Sequence, residues 1–511
     1  MGRVVTNGMS LSFAREATLN TLPADPQWFE LEPNTINSFG TTIAKTSRSP
    51  ISKARVRRKQ VVTDLDSAVE IEADLTLAHL RRLAESFVFA RSVGGDAYLT
   101  SAATGGGFTV PALSAAQAGR LIYTGGGAKT LIKAHGFTNE ENNVLFALSA
   151  APAPGAVLIP VVGTIAEVPA ASAMVEVSIA GIRGAPGDLR IDADGNLIST
   201  ALNFTTTGIT TNQVIYIGGD DLAHQFFADV NTGFARVQIV APNKLTLAKR
   251  DFDFVTDDGT ANGAGGSPLS IDILFGQFIR NVNTQHPDYL EVSNQFELGS
   301  PNLMPGGATG FEYALGNYAD AMSIAIPLTG KATITFGFVG TDVLKPSAAR
   351  ALNAANAKVG GQTAAFGTSS DIARLRAQDV DEAGLTTDFK SATFTLTNNV
   401  SAEKVLGKLG ARYLNIGDFE CDVESQLIFT NPDMIERIRC NKTIGYDWVL
   451  RNGDGGVAFD LPSGTLSGGG REYPANQSVL LNGAFAAHQE DEYGFTLGLS
   501  FFPFLPVQPC D

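Results

Sequence analysis

The stretch Phe394-Thr-Leu-Thr-Asn398, with Phe419-Glu-Cys-Asp-Val-Glu424 further along, decides the fold class of this chain. Both segments alternate apolar and polar side chains, which is the period of a strand that buries one face. The C-terminal region continues in this style, interrupted by one short helix that Asn431 and Pro432 are predicted to start. The alternation predicts a mainly β fold, and the region carries no catalytic cluster.

The N-terminal region repeats the order of strand followed by helix. Ala68-Val-Glu-Ile-Glu-Ala73 alternates, so Glu70 and Glu72 share one face of the predicted strand. Asp74 is predicted to cap a helix over residues 75–89, whose leucines recur at three- and four-residue spacing. A helix packed on a sheet covers one of its faces and leaves the other face for another partner.

The composition favours a protein that hides surface in an assembly. The chain has 511 residues, 54 of them glycine and 31 phenylalanine, and charged residues make up 17%, below the roughly 25% typical of soluble domains. A large β protein with long loops is the alternative interpretation. The net charge of −15 argues against tight binding of nucleic acid, since neutralising phosphates requires clustered Lys and Arg.

Residues 96–270 differ from the flanking core regions, 1–95 and 271–511, and are predicted to be an inserted β-rich region. Within them, segments 101–170 and 202–252 resemble each other as two imperfect repeats. The matching stretches are Leu121-Ile-Tyr-Thr-Gly-Gly126 with Val214-Ile-Tyr-Ile-Gly-Gly219, Asn142-Asn143 with Asn231, and Phe146-Ala147 with Phe234-Ala235. The sequence therefore predicts two small β modules.

Two segments have weak patterns. Residues 259–267 are rich in glycine and are predicted to be a junction leading back to the core. Residues 346–384 are rich in Ala, Gly and Ser, and we expect a long loop with a short helix near Asp371 to Arg376.

The sequence predicts no catalytic residue, no cofactor and no metal site. None of the five histidines pairs with another at metal-ligand spacing, and the three cysteines are far apart, which favours free thiols. Glu70 and Glu72 lack the aromatic neighbours of a sugar cleft, so a solvated face is the better interpretation. The apolar region from Ala156 to Ile182 is interrupted by prolines and glutamates, so no membrane span is predicted. The histidines and cysteines are His79, His135, His224, His286, His488, Cys421, Cys440 and Cys510.

A basic segment stands out in this acidic chain. Between residues 45 and 59 there are seven cations and no acid, and Pro50 predicts a loop. As a nucleic-acid patch the segment lacks interleaved aromatic residues. It could instead reach an acidic surface of a neighbouring subunit, or be a solvated loop. The cations are Lys45, Arg48, Lys53, Arg55, Arg57, Arg58 and Lys59.

Motifs at both ends and in the middle of the chain resemble one family. Ser12-Phe-Ala-Arg-Glu-Ala-Thr18, Pro23-Ala-Asp-Pro-Gln-Trp28, Phe275-Gly-Gln-Phe-Ile-Arg-Asn281 and Tyr313-Ala-Leu-Gly-Asn317 occur in this order, before Leu450-Arg-Asn-Gly-Asp-Gly-Gly456. Their order is similar to that of the tail tube proteins, or major tail proteins, of long-tailed bacteriophages (siphoviruses). The chain departs from the family in its size, which is why residues 96–270 are interpreted as an insertion.

The resemblance implies a β-sandwich with a flanking α-helix, which assembles into six-membered rings that stack as a hollow tube. Genome DNA would pass through the tube during ejection without specific binding. The implied partners are further copies of the chain and the terminator, tape measure and distal tail proteins, and no membrane. The implied location is the virion tail, after assembly in the host cytoplasm.

These implications give the exposed residues expected places. Glu70 and Glu72 are expected to face the channel, the basic segment to contact an adjacent subunit, and residues 96–270 to lie outside the tube. A tail-associated adhesin or carbohydrate-binding β protein is the alternative function, and an enzyme such as a glycosidase is a third.

Overall fold

The computed structural model describes residues 4–48, 51, 56, 58–125, 127–248, 254–263, 265–359, 363–379, 384–386, 388–430 and 432–506. The fold is mainly β, and the strand pairings in the described part are antiparallel. This agrees with the fold class predicted from the alternating segments.

The N-terminal region supplies five strands and the longest described helix. They are β1 (Ser10–Arg15), β2 (Trp28–Leu31), β3 (Pro33–Ser47), β4 (Gln60–Asp74), α1 (Leu77–Val88) and β5 (Val93–Gly94).

The middle of the chain supplies thirteen strands, most of them in a sheet of their own. They are β6 (Ala97–Leu99), β7 (Ala102–Thr104), β8 (Gly107–Thr109), β9 (Lys129–His135), β10 (Leu145–Ala147), β11 (Leu158–Pro160), β12 (Glu176–Arg183), β13 (Arg190–Ile191), β14 (Leu197–Ile198), β15 (Val214–Ile217), β16 (Gly233–Ala241), β17 (Lys244–Ala248) and β18 (Asp272–Leu274), with α2 (Ala115–Arg120) after β8.

The C-terminal region supplies the remaining strands and a short helix. They are β19 (Gln277–Arg280), β20 (Asn294–Ser300), β21 (Gly310–Ile326), β22 (Thr333–Gly340), β23 (Asp342–Val343), β24 (Ile372–Asp379), β25 (Gly384–Thr386), β26 (Phe389–Thr397), β27 (Ser401–Lys404), β28 (Ala411–Asn415), β29 (Glu420–Ile428), β30 (Thr443–Asn452), β31 (Gly455–Glu472), β32 (Leu480–Ala487) and β33 (Gly498–Phe502), with α3 (Asp433–Arg439) after β29.

A central sheet joins the two ends of the chain. Its strands follow the order β3, β4, β22, β21, β26, β29, β32 and the last part of β31. The first part of β31 leaves this sheet and pairs with β30 and β33 instead. One face of the central sheet is apolar, since alternate side chains such as Val69, Ile71, Phe336, Phe394 and Val423 are buried. The alternation that predicted the strands therefore places the core on one side only.

Helix α1 packs against the apolar face of the central sheet. Leu80, Leu83 and Phe87 are buried, and the ring of Phe87 lies 5.4 Å from that of Phe336, centroid to centroid. The predicted cap is wrong, because Thr76, not Asp74, caps the helix by accepting a hydrogen bond from the His79 N–H. Asp74 instead forms an ion pair with Lys331 at 2.6 Å.

The second sheet has two halves with similar architecture. Its central strands β12 and β18 are partners, with β9 and β10 following on the β12 side and β15 and β16 on the β18 side. Each half contains a buried asparagine whose side-chain amide donates a hydrogen bond to the backbone carbonyl of one residue and accepts one from the N–H of the same residue. Asn142 binds Ile165 in this way, and Asn231 binds Val255. The two halves thus share this pair of asparagine hydrogen bonds as well as the order of their strands.

Two local expectations are wrong. Residues 372–379 form strand β24, not a helix, because they pair along most of β30. Tyr123 makes only an isolated bridge with Lys129, so the stretch at 121–123 is not a strand like β15. Strand β9, which pairs with β12 as β15 pairs with β18, occupies the corresponding place.

Candidate functional site

The outer face of the central sheet carries small side chains between two acidic strands. Residues of β4, β22, β21, β26 and β29 stand side by side in three rows, and each row ends in a carboxylate on β4 and another on β29. None of the residues in these rows is Lys or Arg. The rows are Asp74-Thr333-Ala325-Thr393-Glu424, Glu72-Thr335-Ser323-Thr395-Asp422 and Glu70-Gly337-Ala321-Thr397-Glu420.

The structure thus places Glu70 and Glu72 on the same sheet face as three acids of β29 that the sequence analysis did not single out. Glu420, Asp422 and Glu424 are exposed on β29, four strands away from β4, or about 19 Å at the usual strand spacing. Partial burial, Glu420 and Glu424 together raise the pKa of Asp422 above its usual value. The alternation in Phe419–Glu424 was the signal that could have identified these acids.

Strands β3 and β4 continue beyond the central sheet as a two-stranded arm. Pairing between β4 and β22 ends at Ser67, whereas β3 and β4 stay paired as far as Ser47 and Gln60. The arm, residues 41–47 and 60–66 with the loop between them, therefore extends about seven residues, or roughly 23 Å, past the sheet. Its described side chains are mostly exposed, including Ile43 and Val61.

The described residues of the basic segment lie at the far end of this arm. Lys45 is in β3, Arg48 follows the strand directly, and Arg58 and Lys59 precede β4. Three of the seven predicted contact residues, Lys53, Arg55 and Arg57, are outside the described residues. The prediction of a plain loop was incomplete, because part of the segment is in paired strands.

The second sheet is joined to the core through a buried seam. Val214, Tyr216 and Phe234 pack there against a cluster that includes Val449 and Phe502. The Val214 N–H also donates a hydrogen bond of 3.0 Å to Ser500 Oγ.

A buried ion pair crosses the same seam. Arg236 of β16 and Asp460 of β31 are each 1% exposed, and Arg236 Nε donates to Asp460 Oδ2 at 2.7 Å. The guanidinium lies 4.4 Å above the ring of Tyr493. On another side of the seam, Arg81 and Arg82 of α1 both bind Glu176 of β12. The second sheet is therefore attached by buried contacts on at least two sides.

The described residues bring together one cluster that could ligate a metal. Asp220, Asp221 and His224 place their ligand atoms within 4.8 Å of one another, and His224 Nδ1 already lies 2.7 Å from Asp221 Oδ1. Both carboxylates are exposed, and solvated acids commonly cluster without a metal, so we assign no metal site to this cluster. The described helices are all too short or too polar to serve as membrane spans.

Comparison with known proteins identifies the family. The family model described as phage tail tube protein matches residues 6–483, a range that includes both the central sheet and the second sheet. The chain belongs to the phage tail tube protein family. No curated protein matches the chain.

Membership in the family gives the chain a structural role in the phage tail tube and places it in the virion tail. The family is structural rather than enzymatic.

Proposed function

We propose that six copies of this subunit form a ring, that rings stack into the tail tube, and that the acidic outer face of the central sheet lines the channel for genome DNA. The observation that carries the proposal is the three rows of the outer face, in which small residues separate carboxylates and no row residue is a cation. Lys331 pairs with Asp74 at the end of one row.

An acidic lining suits a conduit for DNA. Carboxylates on both sides of the face repel phosphates, and the rows contain no Lys or Arg to replace the counterions of DNA, so DNA would slide past without binding. Thr, Ser, Ala and Gly between them leave no long side chain to obstruct movement. Asp422 fits the proposal, because partial burial, followed by the neighbouring Glu420 and Glu424, raises its pKa.

An open strand edge supports assembly into rings. Among the described strands, β3 pairs only with β4, so much of one side of its backbone offers unpaired N–H and C=O groups. Such an edge is a template for another chain. A ring with closed symmetry satisfies the edge of every copy.

The arm supports stacking of one ring on the next. It extends past the end of the sheet, and its tip concentrates cations in a chain whose net charge is −15. Contact with acids of an adjacent subunit would offset the mutual repulsion of these cations. We assign the seven residues of the basic segment to this contact, most simply with a subunit in the next ring.

The second sheet is assigned to the outside of the tube. Its seam uses β31, β33 and α1, whereas the acidic face belongs to the other side of β4, β22, β21, β26 and β29. A body of this size would also obstruct the channel. We propose 96–270 as the bounds of this region between core regions 1–95 and 271–511, with β18 (Asp272–Leu274) completing the second sheet just beyond residue 270.

Electron microscopy of the purified protein tests the proposal. Negative staining should show six-fold rings and tubes whose central channel is open. Discrete monomers at all protein concentrations and salt concentrations would contradict the proposal, and binding of those monomers to cell-surface polysaccharide would favour an adhesin.

A further inference from the structure

A second small hairpin lies beside the point where the arm leaves the central sheet. Strands β27 and β28 pair only with each other in the described part of the chain. Their hairpin follows β26, which ends on the same side of the sheet as the start of the arm, since Thr397 pairs with Ala321 and Ala321 with Gly337. The arm and this hairpin therefore leave the sheet from the same end.

The second hairpin is firmly attached to the core. Asn398 is buried at its base and donates hydrogen bonds of 2.9 Å to the Phe87 carbonyl and 3.0 Å to the Ala319 carbonyl. The Val400 N–H donates to Asp320 Oδ1 at 2.7 Å. Further along, Ala411 and Leu414 pack with Phe89 and Tyr318 in a separate apolar cluster. The hairpin is thus a fixed point rather than a loose loop.

Lys404 joins this fixed point to the arm. Its Nζ lies 2.6 Å from Asp64 Oδ1 and 2.6 Å from Asp66 Oδ1. Both acids belong to β4 immediately beyond Ser67, the last residue that pairs with β22. One ammonium therefore holds two carboxylates at the base of the arm.

A close backbone approach adds a second contact at the same place. Gly410 has φ of +84°, and a Cβ there would lie 2.7 Å from the Thr341 carbonyl oxygen and 3.2 Å from Leu65 Cδ2. Only glycine fits this position without displacement of its neighbours. Leu65, which lies beside Gly410, is buried, although most of the arm is exposed.

An arm of two strands needs such support. An isolated two-stranded hairpin is marginally stable in water, and this arm has no third strand beyond Ser67 in the described part of the chain. We propose that the β27–β28 hairpin is a brace that fixes the direction of the arm, with Lys404 as the positioning residue that joins the two. The consequence for stacking rests on the function proposed above, but the brace itself is a property of the single subunit.

Hydrogen–deuterium exchange on unassembled subunits tests the brace. In Lys404→Met the amides of residues 41–47 and 60–66 should exchange about three- to fivefold faster than in the wild type, the range expected from losing an exposed ion pair. Amides of α1 should be unchanged. Lys408→Met removes the same charge from the exposed tip of the same hairpin and should leave the arm amides unchanged.

A charge swap and an assembly measurement complete the test. Asp64→Lys and Asp66→Lys combined with Lys404→Glu should restore protection of the arm amides. Unchanged exchange in Lys404→Met would overturn the brace, whatever the tubes look like. Faster exchange together with tubes of normal length would support the brace and would count against the role of the arm in stacking.

Discussion

Charged side chains are buried and paired at the seam, whereas on the outer surfaces of the central sheet most of them are exposed. At the seam, Arg236 and Asp460 are buried and bound to each other. The outer face carries mostly solvated acids, with Lys331 paired to Asp74 at one edge, and the described part of the arm tip carries solvated cations. The seam holds one subunit together, whereas the outer charges are available for interactions between subunits or with DNA.

This difference predicts different consequences of mutation. A buried charge that loses its partner cannot be solvated, so the subunit itself is destabilised. An exposed charge can be changed at little cost to the fold, usually within about 0.5 kcal/mol. Mutations at the seam should therefore unfold the protein, and mutations on the outer surfaces should change assembly or passage of DNA.

The largest effect is expected at the seam. Arg236→Met leaves the Asp460 carboxylate buried without its guanidinium partner, and should lower the free energy of unfolding by about 3–5 kcal/mol. Chemical denaturation of the unassembled subunit measures this change. The double variant Arg236→Met with Asp460→Leu should be more stable than Arg236→Met alone, because the buried carboxylate that lost its guanidinium partner is then removed as well. A single variant as stable as the wild type would mean that water reaches the seam.

The next largest effect is expected at the arm tip, in assembly rather than in stability. Arg55→Glu, Arg57→Glu and Arg58→Glu together should prevent rings from stacking, because many copies of a contact worth up to about 1 kcal/mol would be reversed. Wild-type tubes should shorten as salt is raised, since exposed charges are screened.

Tube length in electron micrographs measures the effect, and thermal melting checks that the subunit stays folded. The control Arg91→Glu, Arg190→Glu and Lys345→Glu makes the same change in net charge on exposed residues elsewhere. Tubes of normal length from the arm variant at low salt would exclude the basic segment from stacking.

The surfaces were easier to predict from the sequence than the seam. Alternation in Ala68–Ala73 indicated a strand with one acidic face, and alternation in Phe419–Glu424 indicated a further strand. A strand's side-chain period needs no knowledge of distant partners. The seam depends on Arg236 and Asp460, which are 224 residues apart in the chain, and no local pattern links them.

Local errors in the sequence analysis also have distant causes. Asp74 looked like a helix cap, but Lys331 and Asn34 bind its carboxylate. A short helix was predicted near Asp371 to Arg376, but residues 372–379 pair with β30, and this pairing outweighs local preference. The channel and arm assignments came from the resemblance to tail tube proteins, and they remain predictions until the variants of the arm tip and the outer face are measured.

A smaller effect is expected when the outer face is made basic. Glu70→Lys and Glu72→Lys should leave folding and tube assembly intact, since Glu70 is exposed and Glu72 half-buried on the sheet surface. If the face lines the channel, tubes of this variant should retain DNA inside at low salt, because lysines attract phosphates. The measurement is the amount of nuclease-resistant DNA that copurifies with the tubes, compared with wild-type tubes.

A control locates the retained DNA. Glu140→Lys and Glu141→Lys introduce the same charge on exposed residues of the second sheet, which is assigned to the outside of the tube. DNA bound by this control should remain sensitive to nuclease. If nuclease-resistant DNA were found with the control but not with the Glu70/Glu72 variant, the assignment would be reversed. The second sheet would then face the channel, and the acidic face would lie outside the tube.

The smallest effect is expected from removing one crowded carboxylate. Partial burial together with Glu420 and Glu424 raises the pKa of Asp422 in the folded state, so the ionised carboxylate slightly opposes folding at neutral pH. Asp422→Asn should therefore stabilise the unassembled subunit by about 0.3 kcal/mol at pH 7, a small value because the site is largely solvated. The wild-type carboxyl becomes protonated as pH falls through its raised pKa, so the advantage of the variant should be smaller at pH 4 than at pH 7. Thermal melting at both pH values measures the difference, with exposed Asp418→Asn as the control.

A gain in stability that is the same at pH 4 and at pH 7 would contradict this explanation. It would show that the negative charge of Asp422 is not the cause of the gain, and that the acids of the outer face do not destabilise the subunit by repelling one another.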